Sequence, residues 1–365
     1  MNKTGFGFLR FHQYGDEKKT VDIEEISRLT DLYLELGGKY FDTAYTYLDG
    51  DSERAIGKCL AKRHPRESFI LADKLPGYLC KSEEDNERYF KEQLERCCVD
   101  HFDVYMIHWL DTPHYEIAKK CRQFEFLQKV KDSGKARYTG FSYHGNAALL
   151  EEILTDHPEI DIVQLQINYL DWESEGIQSR KCYETCVRHG KKVVVMEPVK
   201  GGTLMNLPDA AAKLIKENAP DQTPASLALR FVQSLENVYV CLSGMNEATQ
   251  IKENMADFSP VSQQELELLS SVSAIIKSST LVPCTGCRYC VNYCPEKILI
   301  PDLFKMLNEI NRFPGDDWKI KPVYSKITES SGKASDCISC RSCARHCPQS
   351  IDIPAFIKLA AEKLE

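Results

Sequence analysis

No stretch of this sequence approaches the 18 or more apolar residues that a membrane-crossing helix needs. The opening Met1-Asn2-Lys3-Thr4-Gly5 also lacks the long apolar core of a secretion signal. Charge of one sign is not gathered anywhere: Lys and Arg are interspersed with Asp and Glu, and the formal net charge is only −8. That spread excludes the basic face expected of a nucleic-acid binder. A Gly-x-Gly-x-x-Gly turn after an early strand is missing too, which argues against a doubly wound dinucleotide-binding sheet. These absences lead to the expectation of a cytoplasmic protein with no membrane and no nucleic-acid partner. What is present is a chain of 365 residues, 43% of them hydrophobic, enough for two domains with real cores.

Sixteen cysteines stand out. In a reducing compartment they point to metal ligation or plain burial rather than to disulfides. Eight are scattered (Cys59, Cys80, Cys97, Cys98, Cys121, Cys182, Cys186 and Cys241) and read as small core residues. The other eight form two runs. One is Cys284-Thr-Gly-Cys287-Arg-Tyr-Cys290-Val-Asn-Tyr-Cys294-Pro295, and the other is Cys337-Ile-Ser-Cys340-Arg-Ser-Cys343-Ala-Arg-His-Cys347-Pro348.

Three thiolates within seven residues can wrap one face of an iron–sulfur cube and leave its fourth iron to a more distant cysteine. A zinc ribbon would instead use two separated pairs. Both runs have the C-x2-C-x2-C-x3-C-P pattern of bacterial ferredoxins, in which the fourth cysteine ligates the other cluster. That resemblance assigns Cys284, Cys287, Cys290 and Cys347 to one 4Fe-4S cluster and Cys337, Cys340, Cys343 and Cys294 to a second. The repeat extends further, since Cys294-Pro-Glu-Lys-Ile298-Leu-Ile300-Pro301 is echoed by Cys347-Pro-Gln-Ser-Ile351-Asp-Ile353-Pro354. Residues 276–365 are therefore expected to form a small, mainly helical ferredoxin-like domain. It has a helix from Asp302 to Arg312 and solvated loops at Asp316-Asp317-Trp318 and Thr328 to Lys333.

Residues 1–275 have another rhythm. Short β-rich runs at Gly5 to Phe11, Lys39 to Asp42, Phe69 to Lys74, Phe102 to Trp109, Arg137 to Ser142, Ile160 to Tyr169, Lys192 to Pro198 and Val238 to Ser243 alternate with helical periods. The helical periods include Ile23 to Leu36, Ser52 to Arg63, Glu84 to Cys98 and Glu116 to Ser133. This alternation predicts an α/β fold of the (β/α)8 barrel type, whose chemistry lies at the C-terminal ends of its strands.

Four polar groups gather at those ends: Asp42 and Tyr47 after the second strand, Lys74 at the third and His108 at the fourth. A carbonyl that accepts hydride develops negative charge on oxygen, and a phenol can stabilise that charge and then donate a proton. Tyr47 is the candidate donor. Lys74, held by Asp42, is expected to lower its pKa, and His108 to orient the carbonyl. Together with Gly50-Asp-Ser52-Glu53, Gly140-Phe-Ser142, Gln164, Gly201-Gly202, Ser243-Gly244 and Glu253-Asn254, this tetrad resembles the aldo/keto reductase superfamily over residues 5 to 256.

The resemblance implies a small-molecule carbonyl substrate and a nicotinamide cofactor. Ser142 and Gln164 would lie near its carboxamide, Glu197 at the end of the seventh strand, and Ser243, Gly244, Gln250 and Asn254 around its adenosine phosphate. The chain departs from the family's usual pattern in two places. Tyr143-His144 follow the fifth-strand serine, where Asn is common, and Glu197-Pro198 stand where an aromatic residue often stacks. No Arg or Lys lies within Ser243 to Gln250, so both NADP and NAD stay open. No flavin signature is present, although hydride carries two electrons and a 4Fe-4S cluster passes one. Two functions follow. One is an iron–sulfur oxidoreductase that reduces a small carbonyl with nicotinamide, with electrons delivered through the clusters, or with both. The other is an electron-transfer protein whose barrel is a docking platform and whose clusters exchange electrons with ferredoxin or another redox protein.

Overall fold

The computed structural model describes residues 2–14, 20–256, 258–312 and 317–365, the side chains of residues 312 and 317–319 aside. Its contacts divide the chain into two compact units, one of residues 1–174, 178–198 and 225–261, the other of residues 175–177, 199–224 and 262–365.

In the first unit the strands are β1 (Thr4–Gly7), β2 (Gln13–Tyr14), β3 (Thr20–Val21), β4 (Tyr40–Asp42), β5 (Ile70–Leu75), β6 (Phe102–Leu110), β7 (Ala136–Tyr143), β8 (Ile162–Gln166), β9 (Lys192–Met196) and β10 (Val238–Ser243). Apart from the antiparallel pair β2–β3, they close into a parallel barrel in the order β1-β10-β9-β8-β7-β6-β5-β4. All eight expected barrel strands are present. The first stops at Gly7 rather than Phe11, its last ladder bond running from the Phe8 N–H to Asp42 O at 2.8 Å.

Helices cover the barrel by burying one stripe each. In Ile23–Glu35 the Asp22 carboxylate accepts the Glu25 N–H as an N-cap, and Ile26, Leu29, Thr30 and Tyr33 face inward at helical spacing. Tyr33 then donates its hydroxyl to Thr4 O at 2.8 Å, fixing that helix to β1. At Gly140 a β-carbon would fall 2.1 Å from Ile162 O, so β7 can approach β8 there only without a side chain.

The helix expected from Glu116 to Ser133 is two, Thr112–Lys120 and Gln123–Asp132, because Arg122 enters the left-handed region at φ +51°. The segment expected as one helix from Ser52 to Arg63 is α-helical over Asp51–Ala55 and continues as a π turn over Ile56–Ala61. Seven of the eight scattered cysteines are buried, as a core role requires; Cys98, at φ +56° after helix Glu84–Cys97, is exposed.

The second unit has its own apolar core, with Ile298, Ile300, Leu303, Phe304, Leu307, Ile351, Ile353 and Ile357 among its members. The duplicated Ile-x-Ile elements thus supply matching halves of it. The expected boundary at residue 275 falls inside helix Gln263–Ser279, which packs against Asp209–Asn218 within this same unit. Helix Ile300–Arg312 matches the sequence-based expectation. Of the expected loop at Asp316-Asp317-Trp318, Asp316 lies outside the described residues. Asp317 instead opens helix Asp317–Thr328, whose internal Pro322 hides it from a pattern reading. Among the described residues no helix is long and apolar enough to cross a membrane.

Candidate active site and cysteine cavities

Alternate side chains of a strand point to opposite faces. Tyr40, Ala72, Val104, Met106, Ile162, Val194, Val240 and Leu242 form a buried apolar layer inside the barrel. Two residues further along the same face come Asp42, Lys74, His108 and Gln164, and Ser142 stands beside Gln164 in the β7–β8 register. The pleat that fills the barrel with aliphatics therefore sets a polar layer at its C-terminal end.

Within that layer Lys74 Nζ donates to Asp42 Oδ1 at 2.6 Å and to Thr43 O at 2.7 Å, with both ionic groups buried. The ammonium sits 4.9 Å from the Tyr47 ring centroid, and the His108 ring lies edge-on to Tyr47 with centroids 5.6 Å apart. Burial pushes the Asp42 carboxyl up, and the adjacent ammonium pulls it back. Burial first, then the Lys74 charge, hold His108 well below the usual histidine range, so its ring is neutral at pH 7. The expectation that Lys74 lowers the Tyr47 phenol is reversed. Desolvation, followed by the Asp42 carboxylate, raises it well above its ordinary value, and Tyr47 remains a protonated donor.

A second layer holds these groups from behind. Ser52 Oγ donates to Phe8 O at 2.8 Å and lies 2.7 Å from Thr43 Oγ1, which ties the segment after β4 to the one after β1. Gln93 Nε2 donates both to Glu53 Oε1 and to Lys74 O, each at 3.0 Å, and Glu53 pairs with Arg96 at 2.9 Å. Left-handed backbone occurs at Leu48 (φ +53°) and Asp49 (φ +56°), the two residues after Tyr47, at Trp109 (φ +62°), next to His108 within β6, and at Glu197 (φ +56°), directly after β9. Such strain in residues other than glycine concentrates where a fold positions chemistry.

The residues expected to meet a nicotinamide are treated unequally. Ser142 Oγ accepts the Trp109 N–H at 2.7 Å, and its own proton can go elsewhere. Gln164 Oε1, His108 Nδ1 and Asp42 Oδ2 are buried polar atoms with no hydrogen-bond partner among the described residues. Buried groups of this kind are ordinarily satisfied, so a polar planar group such as a carboxamide fits what the barrel mouth leaves unmet. Ser243, Gln250 and Asn254 shape the loop after β10: Asn254 Nδ2 donates to Ser243 Oγ at 3.1 Å, and Gln250 Oε1 accepts the Asn246 N–H at 2.9 Å. Glu197 contributes its carbonyl to Asn168 Nδ2 at 3.2 Å.

Arg10 is a residue that sequence reasoning missed. It lies across this loop, and a β-carbon on Gly244 would meet Arg10 Cγ at 2.5 Å. Arg10 is exposed, and among the described residues no carboxylate pairs with it. Its only signal was closure of the barrel, which puts β1 beside β10.

Burial brings the His144 imidazole down to about 4. Since His144 and His108 have folded pKa values below the unfolded value of about 6.5, the stability tied to their neutral rings is complete above pH 6.5. It is lost as pH falls toward 4. The thermal midpoint should therefore drop over that window, and His144→Gln should make the drop shallower; identical slopes would contradict this origin.

In the second unit, Cys284, Cys287, Cys290 and Cys347 line one cavity. Cys294, Cys337, Cys340 and Cys343 line another. Each quartet takes three cysteines from one run and the last from the other. Among the described residues no three His, Cys, Asp or Glu converge closely enough for a single metal ion. Thiolates on one zinc, at about 2.3 Å from the metal, would stand only about 3.8 Å apart, whereas a four-iron cube needs them wider.

The two loops also repeat in backbone. Gly286 and Ser339 (φ +67° and +55°), Arg288 and Arg341 (φ +65° and +60°), and Lys297 and Ser350 (φ +54° and +53°) are left-handed at matched positions. The Gly286 N–H points at Cys284 Sγ, 3.5 Å away. Tyr293 and His346, each preceding the last cysteine of its run, stack with centroids 3.4 Å apart.

Comparison with known proteins matches residues 5–274 to the aldo/keto reductase family and residues 283–351 to the 4Fe-4S dicluster domain. A curated aldo-keto reductase of Mycobacterium avium is 26% identical over 227 residues, covering 62% of this chain and 73% of that protein. The NADH-specific methylglyoxal reductase of Escherichia coli is 25% identical over 263 residues, covering 60% and 78%. Among solved structures, the holo form of an aldo-keto reductase from Bacillus halodurans superposes with a TM-score of 0.61 at 25% identity, over 74% of this chain and 91% of that one. A Klebsiella pneumoniae aldo-keto reductase in complex with NADPH reaches 0.60 at 20% identity, over 74% and 90%, a likeness of fold.

Proposed function

Since the chain belongs to the aldo/keto reductase family, we propose that its barrel reduces the carbonyl of a small substrate with hydride from a nicotinamide cofactor. We propose further that its eight clustered cysteines hold two 4Fe-4S clusters for one-electron exchange with a redox protein. The chain is an oxidoreductase with an aldo/keto reductase domain and a 4Fe-4S dicluster domain. The observation that carries the proposed reaction is the convergence of Tyr47, the Lys74–Asp42 pair and a neutral His108 on one interior layer.

Bound nicotinamide supplies hydride; Ser142, Gln164 and the loop after β10 would hold it. The chain's own groups do the rest. Neutral His108 can donate a hydrogen bond to the carbonyl oxygen and so fix its position. Tyr47, still protonated, stabilises the negative charge developing on that oxygen and passes its proton to it. The acceptor is an alkoxide, a stronger base than a phenolate, so the phenol's proton passes to it as the charge develops. Lys74, anchored by Asp42 and Thr43 O, places a fixed positive charge beside the phenol as it loses its proton. Free thiols throughout the barrel suit a reducing compartment such as the cytoplasm.

Anaerobic steady-state assays with NADPH and a panel of small aldehydes and ketones test this directly. Turnover that saturates with at least one carbonyl is expected; none with any of them would overturn it. Arg10 supplies a cation beside Gly244, where the loop after β10 has none from Ser243 to Gln250, which favours NADPH through its extra phosphate. One charge-assisted hydrogen bond contributes about 1.5–3 kcal/mol, so Arg10→Ala should raise KM for NADPH roughly ten- to hundredfold and leave KM for NADH nearly unchanged. Equal losses with both would remove Arg10 from cofactor choice.

A further inference from the structure

The duplicated cysteine loops can be compared position by position, and they differ in what they show to solvent. Thr285 of the first run corresponds to Ile338 of the second. Thr285 is 7% exposed, whereas Ile338 is 63% exposed, more than any other large hydrophobic side chain among the described residues. A hydroxyl is turned in where an aliphatic chain is turned out, which is not what folding alone favours. A lone exposed isoleucine would need no explanation, but this one has company. Cys340, the only exposed thiol of the eight, and Tyr293, 39% exposed, line the same cavity as Ile338.

Charge sets the second loop apart as well. Neither run, from Cys284 to Cys294 or from Cys337 to Cys347, contains an Asp or Glu, although the whole chain carries a net charge of −8. Arg288 and Arg341 occupy matched positions, and each meets a carboxylate, Asp302 at 2.9 Å and Asp352 at 3.3 Å. The second run adds Arg345 where the first has Asn292. Arg345 is exposed, its guanidinium lies 3.5 Å from Cys340 O, and it pairs with no carboxylate among the described residues. Just before the run, Asp336 is accompanied by Lys333, whose N–H it accepts at 2.8 Å. The one carboxylate lining the cavity, Glu296, is half-buried and is followed by exposed Lys297. The solvent face of this loop is therefore apolar at Ile338 and basic at its edge.

We propose that a small acidic one-electron carrier protein docks on this face, with Ile338 at the centre of the contact and Arg345 at its rim. Electrons then enter the chain at the cluster of Cys294, Cys337, Cys340 and Cys343. Redox encounters are transient and bury little area, so one exposed aliphatic side chain beside a part-exposed tyrosine is enough to seat the partner. The rim charge steers an acidic protein toward the loop and acts on the rate of association. Tunnelling falls steeply with distance, which makes the thiolate that reaches solvent the point of entry. One electron leaves the carrier, which is oxidised, and reduces that cluster; no bond is made or broken and no proton moves.

This inference rests on the cluster reading of the eight cysteines, and its test separates the two. The full chain, purified anaerobically with iron and sulfide quantified, is mixed in stopped flow with a reduced acidic plant-type ferredoxin, whose reoxidation has its own visible signature. The second-order rate should fall as salt rises. Ile338→Ser should lower it several-fold at every salt concentration and keep the salt dependence, while its reduction by methyl viologen radical stays at the wild-type rate. Arg345→Glu should lower the ferredoxin rate about tenfold at low salt and flatten its salt dependence. Both variants should retain wild-type iron and sulfide. Fully loaded variants with unchanged ferredoxin rates would overturn the inference, as would an Ile338→Ser loss shared by methyl viologen. Self-association in sedimentation that Ile338→Ser abolishes would also overturn it, because the face would then belong to a second copy of the chain. Wild-type protein without iron–sulfur clusters would instead overturn the reading beneath it.

Discussion

Tyr47→Phe is expected to lower kcat for carbonyl reduction by about 10²–10⁴-fold, with nicotinamide affinity close to that of the wild type. The change removes one oxygen and leaves the ring that Lys74 and His108 face at 4.9 and 5.6 Å. What is lost is a donor that acts only as charge appears on the substrate, and an interaction confined to the transition state appears in kcat rather than in binding. The direction of the phenol's shift adds a pH signature. Because desolvation and Asp42 hold Tyr47 above its ordinary value, the alkaline limb of the reduction profile should stay flat to beyond about pH 10. Full activity in Tyr47→Phe would remove the phenol from the reaction. A limb that bends near pH 7–8 would restore the acidified phenol that the sequence alone suggests.

Cys347→Ser should destroy the cluster of the first cysteine run, and Cys294→Ser that of the second. The crossing follows from the two cavities, each walled by three cysteines of one run and the last of the other. Iron should fall from about eight to about four per chain in either variant. The spectrum remaining in Cys347→Ser should match that of Cys290→Ser, not that of Cys343→Ser. Ligation within each run would give the opposite pairing. A large fall in the thermal midpoint of the second unit is expected as well. Its core holds Cys290 and Cys343 among a modest set of aliphatics, and in small metal-bearing domains binding energy is also folding energy.

Much of this was legible in local pattern. A two-residue period ending in Asp42, Lys74 or His108 marks both a barrel strand and the face on which its last polar residue lies. The cysteine triplets followed by Cys-Pro announce the two cavities that they line, and the Ile298/Ile300 and Ile351/Ile353 echoes announce the core beneath them. The rest depended on proximity that no window of sequence contains. Arg10 reaches Gly244 only because the barrel closes β1 onto β10. Lys200 meets Gln349 across 149 residues, in a segment that follows the seventh barrel strand yet belongs to the second unit. The phenol's shift was misjudged for a related reason: the neighbouring ammonium is visible in sequence, whereas the extent of desolvation that outweighs it is not. Arg122, which breaks one expected helix into two, carries no glycine or proline to announce the turn.

The central claim is that reducing power enters the substrate at the barrel as hydride. The most direct test supplies NADPH deuterated at the transferred position, anaerobically, with a carbonyl that the enzyme turns over, and examines the product alcohol by mass spectrometry. One deuterium on the carbinol carbon is the result predicted. A product labelled only by solvent, formed while the cofactor's deuterium is retained or lost to water, would contradict the account and transfer the chemistry to the clusters.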